Sequence, residues 1–416
     1  MLNRVISING VLACGFVFLL LIPLCVQLLP YTEESNDGSE ENRIFAKAPS
    51  LPTKLDDWLS FPARFENYYK DNFGLRVPML SVATNLKRVT GISPNAYAQS
   101  GKDGWLFLGR QRLKDSLQRY HPMEEEDLVD FSRRMTQVGE RLRKRGILFV
   151  HFAAPEKQSI YPEYLPSENN NSRQTRLDQV SQALEYSDDY IDVRKVLVGE
   201  KLKRPKLPLY PNIDSHWNCF GAYLVYREVV TKGLIDRGPQ LSLVSEEEFT
   251  LRTDSRFSEK SWFSLDFWLG SMSAHDIKYE CLLDDSPLLK MHLPDGTSVP
   301  NINGEEDPPE STFKGMGVFS ALYQDWRSSD KRETAQLKAV VIRDSFASRL
   351  VPYLSRTFSE VLYLHYGTFS EERQIQELIE EFQPDVVIYE YAERRLDFPE
   401  KEILIPIESI LENPSM

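Results

Sequence analysis

Apolar and polar positions along this chain repeat with the periods of helices and strands. Residues 125–145 carry apolar side chains on one helical face, and the apolar run at residues 147–154 predicts a buried strand. Further helices are predicted at 57–90, 173–186, 219–232, 347–356 and 371–382, and further strands at 190–193, 339–342, 361–365 and 385–391. Alternating strands and helices indicate parallel pairing. We therefore expect an α/β fold, a three-layer α/β/α sandwich around a mainly parallel sheet.

Two regions depart from this alternation. Residues 31–55 are polar, acidic and contain proline, as in a linker, and residues 240–335 are rich in Ser, Asp and Pro, which indicates a long insertion or cap. The predicted organisation is a membrane anchor at 1–30, a linker with a helical segment at 31–95, the first part of the α/β domain at 96–239, the insertion at 240–335 and the second part of the domain at 336–416.

The amino-terminal segment predicts the compartment. Residues 5–29 are almost wholly apolar and uncharged, long enough to cross a hydrocarbon layer of about 30 Å. Arg4 precedes this run and acidic residues follow it, so charge bias leaves the N-terminus in the cytoplasm and exports the rest. We expect a single-pass protein of the inner membrane with a periplasmic or otherwise extracytoplasmic domain. A cleaved signal peptide is the alternative.

Composition excludes some classes of partner. Lys and Arg number 49 against 62 Asp and Glu, a net charge of −13, which argues against a nucleic-acid surface. Cys219 and Cys281 fall in the exported part, where they could form a disulfide or stay as two buried thiols. The chain has no Cys-x-x-Cys or Cys/His spacing typical of a metal site, and nothing in it indicates a cofactor.

A candidate nucleophile follows the predicted strand at 339–342. Ser345 comes directly after Arg343 and Asp344, so it would stand at the carboxyl end of a strand, where open α/β sheets carry their reactive groups. The amides of Ser345 and Phe346 would begin a helix and could bind an oxyanion. The alternative is a structural N-cap serine.

A histidine and a carboxylate lie together elsewhere in the chain. Asp214 and His216 are two residues apart, so in an extended segment their side chains share a face and the carboxylate can orient the imidazole. With Ser345 they make the minimum set for nucleophilic acyl transfer. Asp344 is the alternative carboxylate and His365 the alternative base.

Four other residues are candidates for substrate binding. Trp217 and Trp105 offer aromatic faces on which a sugar could stack, although core packing is an equal alternative. Arg343 could steady an anionic group or cap the sheet edge. Lys157 also follows a strand, where either a functional or a structural role is open.

An ordered set of motifs carries a family resemblance. The set consists of residues 69–76, the Gly-x-x-Gly-Trp-Leu-Phe stretch at 101–107, Lys157 with residues 161–166, the Asp-x-His-Trp-Asn segment at 214–218, Asp-Ser-Phe at 344–346 and residues 390–396. With these segments the chain resembles the SGNH-hydrolase-like polysaccharide O-acetyltransferases of the alginate AlgX/AlgJ type. It departs from the broader SGNH pattern by Arg343, where that pattern has glycine, and by the absence of separate Gly and Asn motifs for the oxyanion hole.

The resemblance implies a function and its partners. It implies a triad of Ser345, His216 and Asp214 in an exported, membrane-associated enzyme, and an acetyl group supplied by a polytopic membrane O-acyltransferase. We therefore expect an extracytoplasmic O-acetyltransferase that acts on an exopolysaccharide through an acetyl-serine intermediate. The alternatives are an acetylesterase with the same triad and a non-catalytic polysaccharide-binding assembly protein.

Overall fold

The structure of the protein is a computed structural model. It describes residues 46–72, 98–109, 122–165, 174–239, 241–254, 278–283, 289–292, 298–299, 326–330, 337–365 and 379–399, with isolated positions at 10, 12, 13, 15–17, 79, 82, 86, 403, 404 and 407. The chain divides into two compact units, one of residues 1–95 with 258–274 and one of residues 96–257 with 275–416.

Helices and strands alternate through most of the second unit. The helices are α1 (Leu55–Asn72), which belongs to the first unit, α2 (Glu125–Lys144), α3 (Lys157–Ile160), α4 (Arg176–Ala183), α5 (Arg194–Lys203), α6 (Cys219–Gly233) and α7 (Val351–Thr357). The strands are β1 (Ala98–Ser100), β2 (Leu106–Leu108), β3 (Leu148–Ala154), β4 (Phe249–Asp254), β5 (Lys278–Leu283), β6 (Leu289–His292), β7 (Ser298–Val299), β8 (Trp326–Asp330), β9 (Lys338–Arg343), β10 (Glu360–His365) and β11 (Val386–Ala392).

A seven-stranded sheet forms the centre of the second unit, in the order β3-β11-β9-β10-β8-β6-β7. Strands β3, β11, β9 and β10 are parallel, so the predicted α/β fold with a parallel sheet is confirmed. Strands β8, β6 and β7 extend the sheet in antiparallel pairing. These three strands come from the region predicted as an insertion, which therefore continues the main sheet rather than only covering it.

Helices cover both faces of this sheet. On one face, Phe149 of β3 packs with Val138 of α2 and Val180 of α4 in the hydrophobic core. On the other face, Val150 of β3 approaches α6 so closely that a Cβ on Gly233 would lie 2.8 Å from a Val150 methyl group. Because neighbouring residues of a strand point to opposite faces, these contacts give three layers.

Several local predictions differ from the structure. The strand predicted at 190–193 is a single bridge between Tyr190 and His151, and helix α5 was not predicted. Its buried stripe is short, since only Leu197 and Glu200 of the helix are buried, so its periodicity is weak.

Some predictions fall where the structure gives no description. These are the continuation of α1 to residue 90 and most of the helix at 371–382. Within the described residues, no helix combines the length and apolar character needed to span a membrane. The anchor predicted at residues 5–29 lies almost wholly outside those residues and stays a prediction, as do the predicted domain boundaries.

The two cysteines beyond residue 30, Cys219 and Cys281, form a disulfide. Cys219, at the start of α6, is bonded to Cys281 of β5, with the two Cα atoms 5.9 Å apart. The sequence left open a disulfide or two buried thiols, and the structure contains the disulfide. It ties the antiparallel strand pair β4–β5 to the helix that follows the His216 segment.

Candidate active site

Ser345 stands at the turn between β9 and a 3-10 helix, Phe346–Leu350. Its side chain makes no capping hydrogen bond to that helix. Instead its Oγ lies 2.9 Å from Nε2 of His216, which is 129 residues away in the chain. The N-cap alternative therefore does not describe this serine, and the hydroxyl faces a base.

The imidazole of His216 is held from its other side by Asp214. Oδ1 of Asp214 accepts hydrogen bonds from both the Nδ1 atom and the backbone amide of His216, each at 2.9 Å. One carboxylate oxygen thus fixes the ring and the backbone that carries it. The result is a continuous line from carboxylate to imidazole to hydroxyl, the geometry of a nucleophile with an oriented base.

Arg349 completes the surroundings of the carboxylate. Its Nη2 atom lies 3.6 Å from Oδ2 of Asp214. Burial by itself raises the pKa of Asp214, but the charge and hydrogen bonds of His216 and the charge of Arg349 outweigh it, so the pKa lies below its usual value. Asp214 therefore stays ionised. Sequence reasoning missed Arg349, because an arginine four residues after the serine has no distinctive pattern of its own.

Trp217 joins the histidine segment to the serine turn. Its indole Nε1 donates to the carbonyl oxygen of Phe346 at 3.0 Å, and the two rings meet edge to face with centroids 5.0 Å apart. The His216 ring also lies 4.6 Å from the Phe346 ring. Trp217 is 0% exposed, which corrects the expectation that it offers a face for a sugar. It holds the segment that carries His216 against the turn that carries Ser345.

Asp344 has a structural role beside Ser345. Its Oδ1 accepts the amide of Phe346 at 2.8 Å and its Oδ2 accepts the amide of Ala392 at 3.1 Å. It therefore ties the serine turn to the end of β11, and it is not the carboxylate that orients His216. The expectation that the Phe346 amide binds an oxyanion is also corrected, because that amide donates its hydrogen bond to Asp344. The Ser345 amide stays the candidate donor.

A second carboxyl group, that of Glu390, lies beside Asp344. Oε2 of Glu390 accepts the amide of Asp344 at 2.8 Å. Burial and the charge of Asp344 raise the pKa of Glu390 well above its usual range. Burial also tends to raise the pKa of Asp344, but the positive charges of Arg394 and Arg395 outweigh it and lower that pKa. Glu390 therefore holds the proton and Asp344 the charge.

The other predicted substrate contacts are buried. Arg343 donates to the carbonyl of Asp344 and the hydroxyl of Ser348, both at 3.1 Å, and so stabilises the turn from within. The Trp105 ring is stacked on Tyr164 with centroids 4.3 Å apart, and Lys157 is enclosed by backbone carbonyls. All three predictions are corrected for one reason, that burial removes these groups from contact with a polymer.

An ion pair lies beside the same turn. Nη1 of Arg394 is 2.5 Å from Oε1 of Glu156, and the guanidinium lies 5.4 Å from the centre of the Phe346 ring. Glu393 accepts the amide of Glu156 at 2.8 Å. Burial raises the pKa of Glu156 to about 7, against the opposing charge of Arg394. The alternative base, His365, ends β10, and its side chain lies outside the description.

One protein family matches part of the chain. Residues 98–260 match the family model described as SGNH hydrolase-like domain, acetyltransferase AlgX. The match confirms the resemblance that the motifs indicated, and the matched range contains Asp214 and His216, whereas Ser345 lies beyond it. No curated protein sequence matches the chain.

Several solved structures are similar to this chain, and those of one protein, PatB1, share its fold. PatB1 of Bacillus cereus superposes with a TM-score of 0.53 at 15% identity, over 73% of this chain and 97% of that chain. The same protein with a sulfonyl adduct gives 0.53 at 16% identity, over 72% and 95%. The O-acetyltransferase domain of Pseudomonas putida AlgJ gives 0.42 at 14% identity, over 76% and 99%. At these identities, the likeness to PatB1 concerns the fold alone.

Proposed function

We propose that this chain is an O-acetyltransferase that transfers acetyl groups to hydroxyls of an exopolysaccharide through an acetyl-serine intermediate. The observation that carries the proposal is the line of hydrogen bonds from Asp214 through His216 to Ser345, each 2.9 Å long. This line supplies a nucleophile, a base and an orienting carboxylate. Acetyl as the transferred group is supported by the acetyltransferase family model that matches residues 98–260.

In the first half-reaction, Oγ of Ser345 attacks the carbonyl carbon of the acetyl donor. His216 accepts the hydroxyl proton at Nε2, and Asp214 stabilises the resulting imidazolium through Nδ1. As the bond between the acetyl carbon and the donor's leaving group breaks, His216 returns the proton to that leaving group. The Ser345 amide is the oxyanion donor that we assign, and the acetyl group ends on Oγ.

In the second half-reaction, the oxygen of a sugar hydroxyl attacks the acetyl carbon. Its proton passes to Nε2 of His216, the bond from carbon to Oγ breaks, and His216 returns the proton to Ser345. The sum is an acetylated sugar and a free serine. A transferase must favour the sugar over water at this step, by binding the acceptor in position and by excluding solvent.

The acceptor, donor and compartment rest on other grounds than this geometry. A polysaccharide acceptor and a polytopic membrane O-acyltransferase as donor follow from the family resemblance. Attachment to the inner membrane follows from the apolar run at residues 5–29, with the remaining domain extracytoplasmic. The disulfide between Cys219 and Cys281 supports an oxidising compartment outside the cytoplasm. The reaction requires no cofactor.

The test is the Ser345→Ala variant in an assay with an activated acetyl ester as donor and an oligosaccharide as acceptor. Ser348→Ala is the matched control, because this serine lies in the same 3-10 helix and its hydroxyl contacts Arg343. We expect Ser345→Ala to lose transfer and to form no acetylated protein by intact mass, and Ser348→Ala to retain both. Acetyl transfer by Ser345→Ala at the wild-type rate would refute the serine mechanism.

The same assay separates the alternatives. An acetylesterase releases acetate to water at a rate that the acceptor does not change, whereas a transferase acetylates the acceptor. A binding or assembly protein is not labelled by a serine-reactive sulfonyl or phosphonate reagent, whereas we expect the hydroxyl of Ser345 to be labelled.

A further inference from the structure

Lys157 lies beneath the chain segment that carries Asp214 and His216. It is the first residue of α3, the helix that follows β3, and is 1% exposed. Its Nζ donates to the backbone carbonyls of Pro211 at 3.0 Å, Asn212 at 2.9 Å and Asp214 at 2.6 Å. An ammonium group has three hydrogens to donate, and this segment offers three carbonyl oxygens. The side chain thus fastens residues 211–214 to the edge of the main sheet.

Aromatic rings from β2 and the turn before it form another wall around the ammonium. Nζ of Lys157 lies 5.4 Å from the ring centres of both Trp105 and Phe107, within the range of a cation–π contact. Between these rings in sequence, the amide of Leu106 donates to the carbonyl of Asn212 at 2.8 Å. The Gly-Trp-Leu-Phe stretch and Lys157 therefore meet the same segment from two sides.

We propose that Lys157 is the positioning residue of the triad, which acts by fixing the backbone of Asp214. Residues 211–216 lie outside the helices and the strands of the main sheet, and their backbone has a single bridge position, at Asp214. A buried ammonium that lost its carbonyl partners would be left poorly solvated, so displacement of the segment is strongly opposed. The inference rests on the proposed function, because the triad gives the positioning its purpose.

The consequence for catalysis follows from the geometry. Asp214 is both the residue whose carbonyl receives the shortest contact from Lys157 and the residue whose carboxylate orients His216. If the segment shifts by about 1 Å, the imidazole no longer meets Ser345 at hydrogen-bond distance, and such a misplacement can cost about 100-fold in rate. Lys157 itself is buried, so binding of the acceptor should not depend on it.

The experiment compares Lys157→Met with Lys201→Met in the full-length protein. Lys201 is the matched control, because its ammonium also donates to a carbonyl, that of Ile160 at 2.7 Å, and lies 4.5 Å from the Tyr161 ring. These contacts, and one to the carboxylate of Glu163, involve residues 160–163 and not residues 211–216. We expect Lys157→Met to lower kcat by about 100-fold with KM for the acceptor unchanged, and Lys201→Met to keep both.

A spectroscopic measurement separates positioning from mere stability. The proton between Nδ1 of His216 and Asp214 should give a downfield NMR resonance in the wild type and in Lys201→Met, and the resonance should shift or disappear in Lys157→Met. Lys157→Met with wild-type kcat, or with an unchanged resonance, would overturn the inference. Because the resonance needs no turnover, it reports on Lys157 even if Ser345→Ala refutes the proposed function.

A second variant covers the case in which Lys157→Met does not fold. Lys157→Gln keeps an amide that can donate two hydrogens to the same carbonyls. We expect it to fold, with a lowered kcat and a displaced downfield resonance. If neither variant folds, Lys157 serves folding as a whole rather than the placement of Asp214, and the inference is wrong.

Discussion

Removal of the disulfide between Cys219 and Cys281 should cost much of the stability of the domain while sparing its activity. The perturbation is the double variant Cys219→Ser with Cys281→Ser, or reduction of the wild type. The bond joins residues separated by 62 positions in sequence. In the chain-entropy model, a loop of that length lowers the free energy of the native state relative to the unfolded state by about 4 kcal/mol.

A loss of this size is large compared with the total free energy of unfolding of a domain. A domain is usually stable by about 5–15 kcal/mol, so a loss of about 4 kcal/mol is a substantial fraction of it. The native site should nevertheless survive, because the helix start is held by other contacts. Tyr353 donates to the carbonyl of Cys219 at 3.0 Å, and the Asn218 side chain accepts the amide of Gly221 at 2.9 Å. We therefore expect kcat in native buffer to change little.

Urea unfolding with and without reductant measures the effect. The wild type should lose about 4 kcal/mol of unfolding free energy on reduction, and the double variant should show the lower value in both conditions. The double variant is thus the control for other effects of the reductant. A wild-type unfolding free energy that stays within about 0.5 kcal/mol on reduction would refute the loop-entropy reasoning.

Two further predictions concern residues around the site. Because burial raises the pKa of Glu156 to about 7, its contribution to stability is complete at acid pH and is lost as pH rises through that value. The side chain of Glu156→Gln cannot ionise, so the variant does not lose this contribution. Between about pH 5 and about pH 8, the unfolding free energy of the wild type should therefore fall relative to that of Glu156→Gln by up to about 3 kcal/mol. Urea titrations that show the same pH dependence for both proteins would contradict this. Gly221→Ala should cost about 1–3 kcal/mol and lower kcat, because its Cβ would lie 2.7 Å from the Leu209 carbonyl and 3.1 Å from Cβ of Trp217, next to the histidine segment. The control is Gly199→Ala in α5, where no atom from elsewhere in the fold lies within 4 Å of the added Cβ. There the free energy of unfolding should rise by about 0.5–1 kcal/mol. Thermal melts in which both variants shift in the same direction would contradict the prediction.

Local patterns located much of the central sheet and the helices that cover it. The helix predicted at 125–145 is observed at Glu125–Lys144, and the strand predicted at 339–342 at Lys338–Arg343. These segments bury one or both faces against the core, so the spacing of their apolar residues follows directly from which positions are buried. In β6, β7 and β8, which extend the sheet, the alternation of apolar and polar residues along the sequence was too weak to predict strands.

The side chains around the site show where sequence reasoning fails. Trp217 and Lys157 were weighed as substrate contacts, and both are enclosed. A tryptophan just before a helix, or a lysine just after a strand, has the same sequence pattern whether it contacts substrate or backbone. The difference lies in atoms contributed by distant residues, such as the Phe346 carbonyl for Trp217 and the Asn212 carbonyl for Lys157.

The sequence by itself determined the α/β class and the residue types of the candidate site, because helical and strand periods and the two-residue spacing of Asp214 and His216 are local properties. Only the tertiary structure decided which carboxylate meets which base. It brings His216 to Ser345 across 129 residues, assigns Asp344 to the serine turn, and gives the Phe346 amide to that carboxylate. The physical reason is that hydrogen bonds and burial act over a few ångströms in space, and residues that meet in space can be far apart in the chain.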